Sequence, residues 1–84
     1  MFSEELIFIT LQKILSQTLS VPAASITKSS SMDNLAAWDS LHFLIIINET
    51  EEAFDFRFSS AEIISLRSVP LLIEAVKRKK KGPL

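Results

Sequence analysis

A small all-α bundle is the fold class this sequence predicts, and three observations lead there. Apolar residues make up 48% of the chain and recur at helical spacing. Gly occurs only once, at Gly82, and Pro three times. Residues that cap helices precede the apolar segments. Eighty-four residues make one domain, 1–84, near the lower limit at which a single core suffices without disulfide or metal staples. The expected architecture is a four-helix bundle with a long first connection and a short third helix, without internal repeats.

The first helix is expected from Ser3 to about Leu19. Ser3 is placed to cap it, Glu4 and Glu5 sit where the helix dipole favours acids, and Phe2 and Ile7 are spaced as a hydrophobic staple. Ile7, Leu11, Ile14, Leu15 and Thr18 define its inward face, and Pro22 marks its end. Residues 20–37 form a Ser-rich connection of a length uncommon in compact domains, anchored by Ile26, Met32 and Leu35.

The second helix starts at Asp39 or Ser40 and reaches Ala53, with Phe43, Ile46, Ile47, Thr50 and Phe54 inward. Phe54, Phe56 and Phe58 alternate as in a strand, but no partner strand exists, so an irregular link is expected. Ser59 and Glu62 have capping-box spacing and open a short third helix through about Leu66. Ser68 caps the fourth, with Pro70 in its first turn and Leu71, Leu72, Ala75 and Val76 inward. Lys77 to Lys81 close that helix, where the dipole favours cations, and Gly82-Pro83 stops it.

Composition narrows the function classes. The chain has no Cys, so disulfides and thiolate metal sites are excluded, and no His, Cys or acid cluster has metal-ligand spacing. No segment approaches the ~18 apolar residues of a membrane span. MFSEEL carries acids where a signal peptide needs bases, so a cytoplasmic protein is expected. Residues 1–56 hold eight acids and two bases, and residues 57–84 two acids and seven bases. The basic end, 77–84, reads first as a solvated helix end, then as an electrostatic docking tag, and only distantly as a nucleic-acid site.

The stretch WDSLHFLIII, Trp38 to Ile47, asks for more than a core. Five consecutive apolar residues, Phe43 to Ile47, cover every side of a helix, so part of that surface must meet something else. At the start of this helix, Asp39 is placed as the N-cap and Ser40 beside unpaired backbone N–H groups, a favourable position for a phosphate.

Trp38-Asp39-Ser40-Leu41 resembles the phosphopantetheine attachment motif of acyl and peptidyl carrier proteins, in which D-S-L opens the second helix. Glu51-Glu52-Ala53-Phe54 falls where that family ends the helix with E-E-x-F, and Ser59 to Ile63, chain length and helix order also match. The resemblance implies a carrier that is not itself an enzyme, with 4′-phosphopantetheine from coenzyme A attached covalently to Ser40, and Asp39 as motif residue and cap. A phosphopantetheinyl transferase with Mg²⁺ would make the attachment. Acyl- or aminoacyl-loading and processing enzymes would use the arm's thiol as a thioester, and the carrier would be a monomer.

It also implies a partner-facing side on the second helix: Leu41, His42, Leu44, Ile45, Asn48, Glu51 and Glu52. Periodicity puts these residues on or near the outward side. Fatty-acid-type carriers keep more acids there, so His42 and Ile45 suggest a dedicated partner in a specialised biosynthetic pathway, polyketide, nonribosomal peptide or fatty acid. The Trp before the Asp is more typical of free-standing carriers. His42 lies two residues from Ser40 and points elsewhere, so it is expected to be solvated or partner-facing rather than a catalytic base. The alternatives are a non-covalent helical adaptor in which Ser40 is only a cap, and a lipid- or nucleic-acid-associated domain using the basic tail.

Overall fold

Ser3 starts the first helix as its chemistry requires: the backbone N–H of Leu6 donates to Ser3 Oγ at 3.1 Å. The computed structural model describes residues 3–81 and arranges them as α1 (Glu4–Leu19), a 3₁₀ turn (Ala23–Ser25), α2 (Ser40–Phe54), α3 (Ser60–Ile64) and α4 (Val69–Lys81). The all-α, four-helix expectation holds, with one short helix and a long first connection. The Phe2–Ile7 staple and the Gly82-Pro83 stop lie outside the described residues.

α1 packs against both α2 and α4. Its buried residues are Ile7, Leu11, Ile14, Leu15 and Leu19. Thr18 is only half-buried, and Leu19, one residue on, completes the stripe instead. The helix ends at Ser20, held in the left-handed region at φ 57°, with the N–H of Ser20 and of Val21 turned back to the Ser16 carbonyl. Pro22 therefore follows the stop rather than making it.

The long connection is pinned at several points. Gln12 Nε2 donates to the carbonyls of Ala23 and Ile26 at 2.9 and 3.0 Å, and Ile26 is buried. Met32 and Leu35 pack on the core as partly buried residues. A single bridge between Ser31 and Ser68, with the Val69 N–H donating to the Ser30 carbonyl, ties the loop to the start of α4. Its strongest anchor is Trp38, which is almost wholly buried.

All five inward residues expected on α2 are buried. Each large apolar side chain so removed from water contributes roughly 1.5–3 kcal/mol before entropy is counted. Phe54, Phe56 and Phe58 form an irregular link in which Phe56 stacks on Phe54 and meets Phe58 edge-on. The Ser59–Glu62 capping box is closed in both directions, at 3.2 and 2.7 Å, and α3 ends at Ile64, two residues before the expected limit.

On α4 one inward assignment changes. Leu71 is 45% exposed, while Val69, Leu72, Ile73, Ala75 and Val76 are buried. Counting from Val69 gives i, i+3, i+4 and i+7 for Val69, Leu72, Ile73 and Val76, a phase in which Leu71 points away. Ser68 does cap this helix, accepting from the Leu71 N–H at 3.2 Å.

Candidate functional site

The start of α2 is built from the core outward. Trp38 is buried, and its indole N–H finds no acceptor among the described residues, so the ring serves here by its bulk. That anchor sets the next residue at the helix end. Asp39 is extended, and its Oδ1 accepts the His42 backbone N–H at 3.0 Å. The same oxygen lies 2.7 Å from His42 Nδ1. These two contacts, the backbone N–H first and the ring second, hold the Asp39 carboxyl below its ordinary range.

His42 is thus half-buried and clasped to the cap, with about a third of its side chain still open to solvent. The signal was available: residues three apart on a helix adjoin, and Asp39 and His42 have that spacing.

Ser40 occupies the first helical position and is exposed. Among the described residues no hydrogen bond engages its hydroxyl. The first intrahelical bond runs from the Phe43 N–H to the Asp39 carbonyl at 2.8 Å, so the amides of Ser40 and Leu41 precede the ladder. The first turn of α2 contains no acid. Asp39 takes the His42 N–H, and the Ser40 and Leu41 amides at the positive end of this 15-residue helix are left to an anionic group on the serine, so the residues present fit a phosphodiester.

Past Ser40 the outward surface is apolar. Leu41 is 65%, Leu44 58% and Ile45 39% exposed, and neither Leu44 nor Ile45 tucks under the long connection. Asn48 and Glu52 continue the same side and are exposed. Glu51 is turned partly inward, where its Oε2 accepts the Phe58 N–H at 2.8 Å and braces the link to α3. The first of the two adjacent glutamates is therefore committed within the chain, a role that spacing alone does not reveal.

Compared with known protein families, residues 10–76 match the family described as phosphopantetheine attachment site (PP-binding). The chain belongs to this family. No curated protein matches it significantly. Membership makes the chain a phosphopantetheine carrier domain, a substrate of partner enzymes rather than an enzyme, and implies a covalent 4′-phosphopantetheine. It also implies a phosphopantetheinyl transferase and processing enzymes as partners. Among the described residues, no helix is long and apolar enough to cross a membrane, and no group of three or more His, Cys, Asp or Glu could hold a metal ion.

The basic run has intramolecular work. Lys77 Nζ lies 3.3 Å from Glu4 Oε1, Lys79 Nζ 2.9 Å from Glu62 Oε1, and Lys80 Nζ donates to the Phe54 carbonyl at 2.8 Å. One cationic helix end thus reaches the start of α1, the start of α3 and the end of α2. Three side chains of the run are thus engaged by neighbours rather than left to solvent.

Proposed function

We propose that this chain is a free-standing carrier, one domain over residues 1–84, whose Ser40 bears the 4′-phosphopantetheine. The observation that carries the reading is Ser40 itself: exposed, unengaged, at the first position of α2 and inside the family match. Its Oγ would attack the coenzyme A phosphorus nearer the pantetheine. The new Ser–O–P bond replaces the P–O bond to the adenosine bisphosphate half, and the hydroxyl proton passes to a base of the transferase.

Asp39 keeps the helix start closed and holds Ser40 at its rim, while the Ser40 and Leu41 amides favour the negative charge gained. When attached, the arm supplies a terminal thiol on which acyl or aminoacyl groups ride as thioesters. Tethering raises the effective concentration of a cargo for each successive enzyme, so the carrier needs no substrate pocket of its own.

The outward side of α2, with Leu41, Leu44, Ile45, Asn48 and Glu52, is the side on which partners would approach Ser40. Its apolar character favours dedicated enzymes of a specialised biosynthetic pathway, in the cytoplasm, served by a monomeric carrier. The test is intact mass after incubation with coenzyme A, Mg²⁺ and a broad-specificity phosphopantetheinyl transferase, with Ser40→Ala alongside. A gain of one phosphopantetheine that is lost in the variant is expected. No gain from folded protein, beside a working control carrier, would leave Ser40 as a helix-start residue and favour a non-covalent adaptor.

A further inference from the structure

Arg67, in the link between α3 and α4, is an exposed cation without a carboxylate partner among the described residues. Lys28, Lys77 and Lys79, by contrast, meet Glu5, Glu4 and Glu62. The backbone of Arg67 is fixed on both sides: its N–H donates to the Ser65 carbonyl at 2.9 Å, and its carbonyl accepts the Met32 N–H at 3.0 Å. The guanidinium lies over the Phe43 ring, with Cζ 5.7 Å from the ring centroid and Nη1 3.7 Å from Met32 Sδ. A ring face and a thioether orient this planar group without neutralising its charge.

Phe43 is what brings that charge to the site. It stands three positions after Ser40, so the two residues are neighbours on the surface of α2. Side chains of a helix lean back over the turn before their own Cα, and the turn before Phe43 begins at Ser40. A guanidinium laid over that ring therefore stands beside the first turn of α2. The cap does not compete for it, because Asp39 Oδ1 is taken by the His42 N–H and ring.

We infer that Arg67 pairs with the phosphodiester on Ser40, joining the first turn of α2 to the α3–α4 link in the modified chain alone. The inference rests on the proposed attachment at Ser40 and adds a residue of this chain that holds the base of the arm. A phosphodiester spreads one negative charge over two non-bridging oxygens, and the fork of a guanidinium can donate to both. No ion pair of Arg67 has to break first, and stacking on Phe43 keeps the fork oriented, so little freedom is lost on pairing. Arg67 and Ser40 come together only in the folded chain, so the pair makes the modified protein harder to unfold than the unmodified one.

The experiment compares thermal melts of unmodified and phosphopantetheinylated protein for the unaltered chain, Arg67→Gln and Arg57→Gln, at low salt and in about 0.5 M NaCl. Modified protein is made with coenzyme A, Mg²⁺ and a broad-specificity transferase, and phosphorus NMR reads its phosphodiester directly. Arg57 is exposed and lies beyond the far end of α2, so its variant controls for net charge. Melts of the unmodified variants show that each is folded. At low salt the gain in melting temperature on modification is expected to be about 2–5 °C larger in the unaltered chain than in Arg67→Gln. High salt should shrink that difference, and Arg57→Gln should keep the gain of the unaltered chain. The phosphorus signal should differ between the unaltered chain and Arg67→Gln, and added salt should move the former toward the latter.

An equal gain in the unaltered chain and Arg67→Gln, or a phosphorus signal that Arg67→Gln leaves in place, would overturn the inference. An equal loss of the gain in Arg57→Gln would assign the effect to net charge and overturn it as well. A chain that takes up no phosphopantetheine at all is a different result and would count against Ser40 as the attachment residue.

Discussion

Two helices in this molecule start with the same three-part pattern and differ in what that pattern leaves open. Trp38-Asp39-Ser40 opens α2 and Phe58-Ser59-Ser60 opens α3. Each has a buried aromatic anchor, 2% exposed at Trp38 and 7% at Phe58, then a capping side chain, then an exposed serine at the first helical position. At α3 the cap is a closed box. Glu62 places its carboxylate on the Ser59 N–H at 2.7 Å and is met by Lys79, so the positive helix end already holds an anion. At α2 the anion is the cap itself, Asp39, on the His42 N–H; the third helical residue is His42, whose ring turns to that cap, and no acid occupies the first turn. Helix length adds to the difference, 15 residues against five. An exposed serine at a helix start is common chemistry; both helix ends carry a carboxylate, Asp39 on the His42 N–H and Glu62 on the Ser59 N–H, and the length of the helix behind it is what separates Ser40 from Ser60.

The largest effect that could break this comparison is all-or-none. Ser40→Ala is expected to abolish the phosphopantetheine mass gain and Ser60→Ala to leave it whole, as intact mass would read directly. The anchors come next. Trp38→Ala and Phe58→Ala should each cost about 3–5 kcal/mol in urea unfolding, a large part of the stability of a small domain. Trp38→Phe should cost clearly less than Trp38→Ala if the unpaired indole N–H adds little and the ring is what matters.

Smaller still is the cap. Ser59→Ala should lower unfolding stability by about 1 kcal/mol and leave the mass gain untouched. The smallest effect is in acid. Asp39 is held low by the His42 N–H and ring, and Glu62 by the Ser59 N–H and Lys79. Both folded values lie below the unfolded ones, so their contribution is complete above the ordinary carboxylate range, near pH 4–5, and lost as pH falls through the lowered values. Melting temperature followed downward from pH 6 should therefore fall less steeply in Asp39→Asn and Glu62→Gln than in the unaltered chain.

Much of this was legible in the residues. Local chemistry speaks plainly at Ser3, Asp39, Ser59 and Ser68, because a cap needs only its own next turn to be recognised. The five inward residues of α2 could be read because Thr50 and Phe54 extend the stripe beyond the ambiguous apolar run. Leu71 could not be told from Ile73 in the same way, since an unbroken apolar stretch from Leu71 to Ile73 gives no phase, and packing against α1 settles it. The end of α1 at Leu19 was read where it falls, but its cause was not, because a non-glycine residue, Ser20, adopts the left-handed region there. The contact of Glu51 with the Phe58 N–H could not be read, because it depends on how the chain turns after α2, whereas that of His42 with Asp39 was open to reading from their three-residue spacing. Family resemblance reached the carrier function where spacing reached only a helix with a surplus apolar face.

The most direct test of the central claim is to locate the modification within the chain. Trypsin cutting after Lys28 and Arg57 releases residues 29–57, which contain Ser29, Ser30, Ser31 and Ser40. Fragment-ion mass spectrometry of this peptide from transferase-treated protein should place the whole phosphopantetheine on Ser40. Its appearance on any of the three loop serines, or its persistence in Ser40→Ala, would contradict the account.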